Sequence, residues 1–279
     1  LTTNRNKSDD CEILVIDNNS TDDTANIISK LSKQFDHITY ISEQKQGLSQ
    51  ARNAAINYAK SPWILFLDDD GLSAPDMIKQ ALKHINHSSY ICIGGVYEPL
   101  YLEPKPKWIH SSFESFSVPW DKIQEVNDCG ILPHGGILLL KTDIVKRIGG
   151  FNTKMGRIGN SQGYAEETEL FHRLKLANYK IAIDPELKMS HLVNKNKYKL
   201  GWHLRDIYFR EKALTQIGQE SFREMICAAL KASGRIWVRS IPQFFTKKHY
   251  YWQNLLIDTS IPIQLILGYI SGIIKGTNR

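Results

Sequence analysis

A chain of 279 residues, 42% of them hydrophobic, can bury a full core as one large domain or as one domain with an appendage, and is too apolar for a disordered polymer. Its net charge of +6 favours anionic partners such as nucleotides, phospholipid headgroups or lipid-linked phosphates, while the lack of an Arg/Lys tract interleaved with aromatics argues against nucleic acid. Cys11, Cys92, Cys129 and Cys227 show no Cys-x-x-Cys spacing, which argues against zinc or a disulfide framework and fits a reducing, cytoplasmic setting.

The polar opening, Thr2 to Asp10, reads as the tail of an earlier element. Glu12 to Ile16 is a β-branched apolar run that stops at Asp17-Asn18-Asn19-Ser20, and Ser20 with Asp23 three residues later predicts a capped helix carrying Ile27, Ile28, Leu31 and Phe35 on one face. A short strand, Ile38 to Ile41, precedes Gly47, which permits a tight turn, and Ser49, which can cap an Ala-rich helix to Lys60. Arg52 falls in the first turns of that helix, where a cation needs an anion opposite; a diphosphate or a carboxylate of the same fold would serve.

Trp63 to Leu67 then reads as a strand buried on both faces, ending abruptly in Asp68-Asp69-Asp70-Gly71. Adjacent carboxylates repel by about 4 kcal/mol per close pair at an effective dielectric of 20, so a cation is expected there. Alternation puts Asp68 and Asp70 on one side and Asp69 on the other. A few oxygen ligands of this kind suit Mg²⁺ or Mn²⁺ completed by phosphate oxygens and water, although an acidic turn that simply ends the strand has the same sequence.

A helix from Pro75 to His84 and a strand from Tyr90 to Val96 complete an alternation of strands and helices that predicts an α/β fold with a mostly parallel sheet, ligand sites gathering at the carboxyl ends of its strands. Tyr97 to Asp128, with Trp108, Phe113, Phe116 and Trp120, reads as a long irregular connection, either a sugar-stacking loop or a local core. The strand Gly136 to Lys141, a helix near Asp143 to Ile148 and a glycine-rich loop, Met155 to Gly163, lead to a helix whose first turn holds Glu166, Glu167 and Glu169. A carboxylate there suits a general base or merely a cap. The strand Lys180 to Ile183 and Pro185 precede His191.

Taken in order, Val15 to Thr24, Gly47-Leu48-Ser49-Gln50-Ala51-Arg52-Asn53, Phe66 to Asp70, Gly149-Gly150-Phe151, Glu166 to Leu170, Pro185 and His191 resemble the family-2 glycosyltransferases over about residues 11 to 192. The resemblance implies a GT-A fold, Rossmann-like and flanked by helices, and inverting transfer of a sugar from a nucleotide-diphosphate sugar to a saccharide or lipid-linked acceptor, with a divalent cation, Mg²⁺ or Mn²⁺, as cofactor. It assigns Asp17, Asn18, Gly47, Arg52, Asp68 and Asp69 to the donor, Gly135, Gly136 and Glu166 to the acceptor, Asp70, Asp68 and His191 to the metal, and Glu167 to the catalytic base. Relatives carry Glu-Asp where this chain has Glu166-Glu167, and often a second acid where it has Asn18. The family's first strand and helix are expected to be missing, because the motif normally second opens the chain. A nucleotidyltransferase, or a non-catalytic sugar-binding protein, stays open as an alternative.

The expected division is 1–195 for the transferase domain and 196–279 for a basic, aromatic, helical appendage. Within it Lys247-Lys248-His249-Tyr250-Tyr251-Trp252 precedes an apolar stretch, Ile261 to Ile274, of about 14 residues, too short to span a bilayer but suited to a headgroup layer or to packing on the domain. Peripheral contact with the inner face of the cell membrane is the corresponding expectation.

Overall fold

The computed structural model describes residues 11–87, 89–110, 113–126, 131–159 and 163–276; Thr2 to Asp10, Cys129 and the centre of the glycine-rich loop lie outside the described residues. β1 (Ile13–Asp17) and β2 (Ile38–Ser42) pair in parallel, joined by α1 (Thr24–Gln34). α1 starts later than expected: Asp23, not Ser20, occupies the cap position, because the Ser20 backbone N–H already donates to Asp17 Oδ1 at 2.9 Å. A local bond of side chain to backbone competes with capping. α2 (Leu48–Tyr58) starts from Gly47, whose φ of 141° favours glycine, and Ser49 does not cap it but donates its hydroxyl to the Met155 carbonyl at 2.9 Å.

The larger sheet has six strands among the described residues. Its order is β3 (Trp63–Leu67), β7 (Ile137–Lys141), β5 (Cys92–Leu100), β8 (Ile181–Leu192) and β4 (Gly71–Ser73), with β6 (Gln124–Glu125) also on β8. Only β5 and β8 run parallel in it; the β3–β7, β5–β7, β4–β8 and β6–β8 pairs are antiparallel. The expected mostly parallel arrangement therefore holds for β1–β2 and β5–β8 and fails elsewhere. Alternation of elements sets the α/β class, but the long segment between β5 and β7 frees β7 to enter in the opposite sense.

Burial on both faces belongs to β7 and not, as expected, to β3. Leu138 and Leu140 face one half of the core with Leu170, Phe171 and Leu174 of α5 (Glu166–Leu176), while Ile137 and Leu139 face the other with Met77 and Ala81 of α3 (Met77–His87). β3 forms the edge of this sheet, so only Phe66 is buried and Leu67 is exposed. β8 runs well past Ile183, and its far end pairs His191 with Gly71, which brings a residue more than a hundred positions away beside the acidic turn. α4 (Thr142–Arg147) closes the segment after β7.

The C-terminal stretch is helical: α6 (Leu200–Gln216), α7 (Phe222–Arg235), α8 (Ile241–Thr246) and α9 (Trp252–Gly276). Ser221 and Glu224 form a reciprocal capping box on α7. Between α7 and α8, residues Ile236–Ser240 form a π-helical turn just before Pro242, which lacks the N–H a regular turn would require. α9 starts earlier than the apolar stretch and continues through Pro262. Its 23 residues from Trp252 to Ile274 are long and apolar enough, by length and composition, to cross a membrane, which corrects the expected length of about 14. Its acid Asp258 accepts from the hydroxyls of Ser240 (2.6 Å) and Tyr250 (2.5 Å). One face of α9 packs closely on α6: a Cβ on Gly268 would lie 2.6 Å from the Tyr208 carbonyl oxygen, and one on Gly272 2.9 Å from that of Lys212. Leu267, Ile270 and Ile274 on α9 are exposed.

Candidate active site

The ends of β1 and β3 build the first part of the site. Asp17 is buried and both its oxygens are engaged, Oδ1 by Ser20 and Oδ2 by the Tyr40 hydroxyl at 2.7 Å; the Ser20 contact leads in holding its carboxyl below the usual range. Asn18 donates from Nδ2 to the carbonyls of Glu43 (3.3 Å) and Lys45 (2.7 Å) and accepts the Gly47 N–H at Oδ1 (2.7 Å). Three bonds from one amide clamp the loop that starts α2, a task for which the asparagine is better suited than a second acid because it donates and accepts at once.

Residues 68 to 70 form a turn, not the end of a strand, with the Gly71 N–H donating to the Asp68 carbonyl at 3.0 Å. Asp69 is exposed, while Asp68 and Asp70 are half-buried, so the expected partition stands although turn geometry produces it. Asp68 is tied to Arg52. The buried guanidinium donates to Asp68 Oδ1 (3.3 Å), to Glu166 Oε1 (3.1 Å) and to the Gly135 carbonyl (3.1 Å). Of the two anions the sequence allowed opposite Arg52, carboxylates are the ones in place. Losing the cation from such a network would leave buried charge uncompensated, at a cost of about 3–5 kcal/mol.

Gly135 and Gly136 are shaped by this network. A Cβ on Gly135 would lie 2.7 Å from Arg52 Nη2, and one on Gly136 2.9 Å from Met189 Cε and 3.4 Å from Asp68 Oδ2. Burial raises the Asp68 carboxyl above its ordinary range, with Arg52 opposing and Asp70 adding to the rise. Burial likewise raises Glu166, the neighbouring Glu167 reinforcing it and Arg52 opposing.

Asp70 stands apart from that network. Its Oδ1 lies 3.3 Å from His191 Nε2, yet the atom is buried and makes no well-formed hydrogen bond. Burial works against its ionisation, but His191 and Lys197 outweigh it and hold the carboxyl below the usual range. His191 Nδ1 faces Glu114 at 3.7 Å, and Lys197 Nζ donates to Glu114 at 2.7 Å. Among the described residues no three His, Cys, Asp or Glu side chains converge as a closed metal cage. An open Asp70–His191 pair with an orphaned oxygen fits instead a hard cation that takes most ligands from water and a diphosphate.

Glu167 follows Glu166 in the first turn of α5, whose cap, Ala165, is left-handed at φ 72°. Its Oε2 is buried with no hydrogen-bond partner. Tyr97 joins the two halves of the site: its ring lies 5.5 Å from that of His191 and 5.7 Å from that of His134, and its hydroxyl bonds His134 Nδ1 at 2.6 Å. Burial and the charges of Glu114, Glu167 and Asp68 push that phenol far up.

Tyr97, Glu114, His134 and Lys197 were not picked out by sequence. None lies in a motif; Tyr97 falls midway along β5, Glu114 and His134 in irregular connections, and Lys197 in a 3₁₀ turn (Lys195–Tyr198) beyond the expected domain limit. Of the aromatics in the long connection, Phe116 is buried and stacks on His134 at 4.1 Å, whereas Trp108 and Phe113 pack on His203 of α6 at 5.0 and 4.8 Å. Beside Glu114 and His134 a cavity of about 390 Å³ opens toward α6.

Residues 2–140 match the sequence pattern of Glycosyl transferase family 2. Succinoglycan biosynthesis protein ExoM of Rhizobium meliloti is 25% identical over 196 residues, 68% of this chain and 59% of that protein. A Campylobacter jejuni enzyme named GalNAc(5)-diNAcBac-PP-undecaprenol beta-1,3-glucosyltransferase is 41% identical over 63 residues, 22% of this chain and 20% of its own. The chain thus spans less than two thirds of either curated relative. Among solved structures, the mannosyltransferase PcManGT of Pyrobaculum calidifontis, determined with GDP-Man and Mn²⁺, superposes with a TM-score of 0.60 at 15% identity over 95% of this chain and 78% of that one. With this fold and these ordered motifs, the chain belongs to the family-2 glycosyltransferases and carries their GT-A architecture.

Proposed function

We propose that this protein transfers a sugar, with inversion, from a nucleotide-diphosphate sugar to a saccharide or lipid-linked acceptor in the synthesis of a surface polysaccharide or glycan. The observation that carries this is a pair of buried carboxylate oxygens without a well-formed hydrogen bond, Asp70 Oδ1 and Glu167 Oε2. An unpaired buried acceptor is costly unless a ligand completes it.

In the proposed assignment Asp17 and Asn18 shape the nucleoside end of the donor site through the strand end and loop they hold. Gly47 lets the backbone approach, and exposed Asp69 lies at the rim. Asp68 and Glu166 are anchored by Arg52, which keeps the acceptor wall at Gly135 and Gly136 in place. Asp70 and His191 would hold Mg²⁺ or Mn²⁺, with Asp68 as the further ligand. When bound, such an ion neutralises the diphosphate leaving group. Glu167 takes the proton of the acceptor hydroxyl as it attacks the anomeric carbon; its neighbour cannot, because Glu166 is already committed to Arg52. A panel of UDP-, GDP- and dTDP-sugars tested by thermal shift is expected to give one stabilising donor, and only with Mn²⁺ or Mg²⁺ present. Stabilisation by none of them, or equal stabilisation after chelation, would remove the proposal.

The same reading sets the C-terminal helices against the cytoplasmic face of a membrane. Trp237, Val238 and Phe245 are 75%, 83% and 79% exposed, next to Lys247 and Lys248 and to the bare face of α9. Apolar anchors beside cations suit an anionic headgroup layer. The protein is expected to float with phosphatidylglycerol vesicles, and Trp237→Ser with Phe245→Ser to lose most of that binding; a soluble distribution of the unaltered protein would refute the contact.

A further inference from the structure

The cavity of about 390 Å³ between Glu114, His134 and α6 shares those two residues with the candidate site and lies outside every assignment so far. Of its two lining carboxylates one is charge-matched and the other is engaged by a neutral hydroxyl. Glu114 accepts from Lys197 at 2.7 Å, and Asp206 accepts from the Tyr164 hydroxyl. Two guanidinium groups are left over. Arg157, from the loop after β7 and α4, and Arg210, from α6, both line the cavity, and neither forms an ion pair among the described residues. Both act on the phenol of Tyr164, which lines the same cavity.

Guanidinium groups present flat, paired donors that match phosphate oxygens, and two of them against the one carboxylate of Asp206 leave a local excess of positive charge. Trp202 and Phe113, 6.0 Å apart, supply an aromatic part of the lining, and Ile207 and Ile257 an apolar one. The placement on α6 adds a further constraint. Trp202, Asp206 and Arg210 recur every four residues and share the face toward the cavity. Tyr208, Lys212 and Thr215 lie on the face that packs against α9, whose opposite side is bare apolar surface. A phosphate in the cavity is thus one helix away from the surface proposed to meet lipid.

We infer that this cavity extends the acceptor site beyond Gly135 and Gly136 and that Arg157 and Arg210 grip a phosphate or diphosphate ester there, with the sugar to be extended resting on Trp202 on the way to Glu167. The inference rests on the sugar-transfer reading and names its acceptor class. The test is calorimetric titration of the whole chain in EDTA, where the Asp68–Asp70 region repels anions, using farnesyl diphosphate, inorganic pyrophosphate and farnesol. Farnesyl diphosphate is expected to bind and farnesol not to. In the Arg157→Gln, Arg210→Gln variant the affinity should fall by about 10- to 100-fold, with Arg157→Lys, Arg210→Lys intermediate. Pyrophosphate binding as tightly as farnesyl diphosphate would assign the site to soluble phosphate esters, and farnesyl diphosphate binding at least tenfold tighter to lipid-linked ones. Equal affinity in the wild type and the glutamine variant, or no binding of either diphosphate to the wild type, would overturn the inference. The sugar-nucleotide thermal shift, read on the wild type alone, decides the underlying reading separately.

Discussion

Asp70→Ala is expected to lower sugar transfer by about 100-fold or more and to abolish its dependence on Mn²⁺ concentration in the range where the wild type saturates. Asp68 can do little to hold the cation that would neutralise the leaving diphosphate, because Arg52 already takes one of its oxygens. Asp70 is the carboxylate of this turn held below the usual range against burial by His191 and Lys197, while its Oδ1 makes no well-formed hydrogen bond. Removing it also leaves His191 Nε2 without its carboxylate partner, with the cation-repelling Lys197 nearby. Steady-state kcat/KM measured across a Mn²⁺ titration checks this. Unchanged turnover, or an unchanged metal profile, would take Asp70 out of the mechanism.

Glu167→Gln should reduce kcat by about 10²- to 10⁴-fold while leaving the KM for donor nearly as it was, since the amide keeps the size and loses only the proton acceptor. The adjacent position gives the contrasting result. Glu166→Gln weakens the Arg52 network, so its first effect is on stability, read as a lower midpoint in urea unfolding. If the Glu166 variant lost turnover at unchanged stability while the Glu167 variant kept it, the base would have to be reassigned to Glu166. The orphaned Oε2 of Glu167 is the structural reason to expect the opposite.

The acidic turn, the polar end of β1, Gly47 and the acid-rich start of α5 were legible in the sequence because each is a short local pattern: an apolar run broken by charge, a glycine before a helix, carboxylates in a first turn. The partners of those residues were not. Arg52 needed an anion by the argument of the helix dipole, but only the structure identifies Glu166 and Asp68 as that anion, 114 and 16 residues away. Ser20 and Ser49 had the right chemistry for caps and were claimed by Asp17 and by the Met155 carbonyl instead. His191 matched a family position, and its reason for being there is the pairing of β8 with β4, a strand too short to be recognised from three residues.

By itself the sequence determined the α/β class, the order of the longer strands and helices but not β4 or β6, and the family, since these follow from hydrophobic period, turn chemistry and ordered motifs that act over a few residues. The direction of β7, the edge position of β3, the length of α9 and the gathering of Tyr97, Glu114, His134 and Lys197 around Asp70 and Glu167 were decided only in three dimensions. The physical reason is that strand direction, burial and the ionisation of a buried carboxylate depend on which distant groups pack beside it, and no local pattern of residues records that.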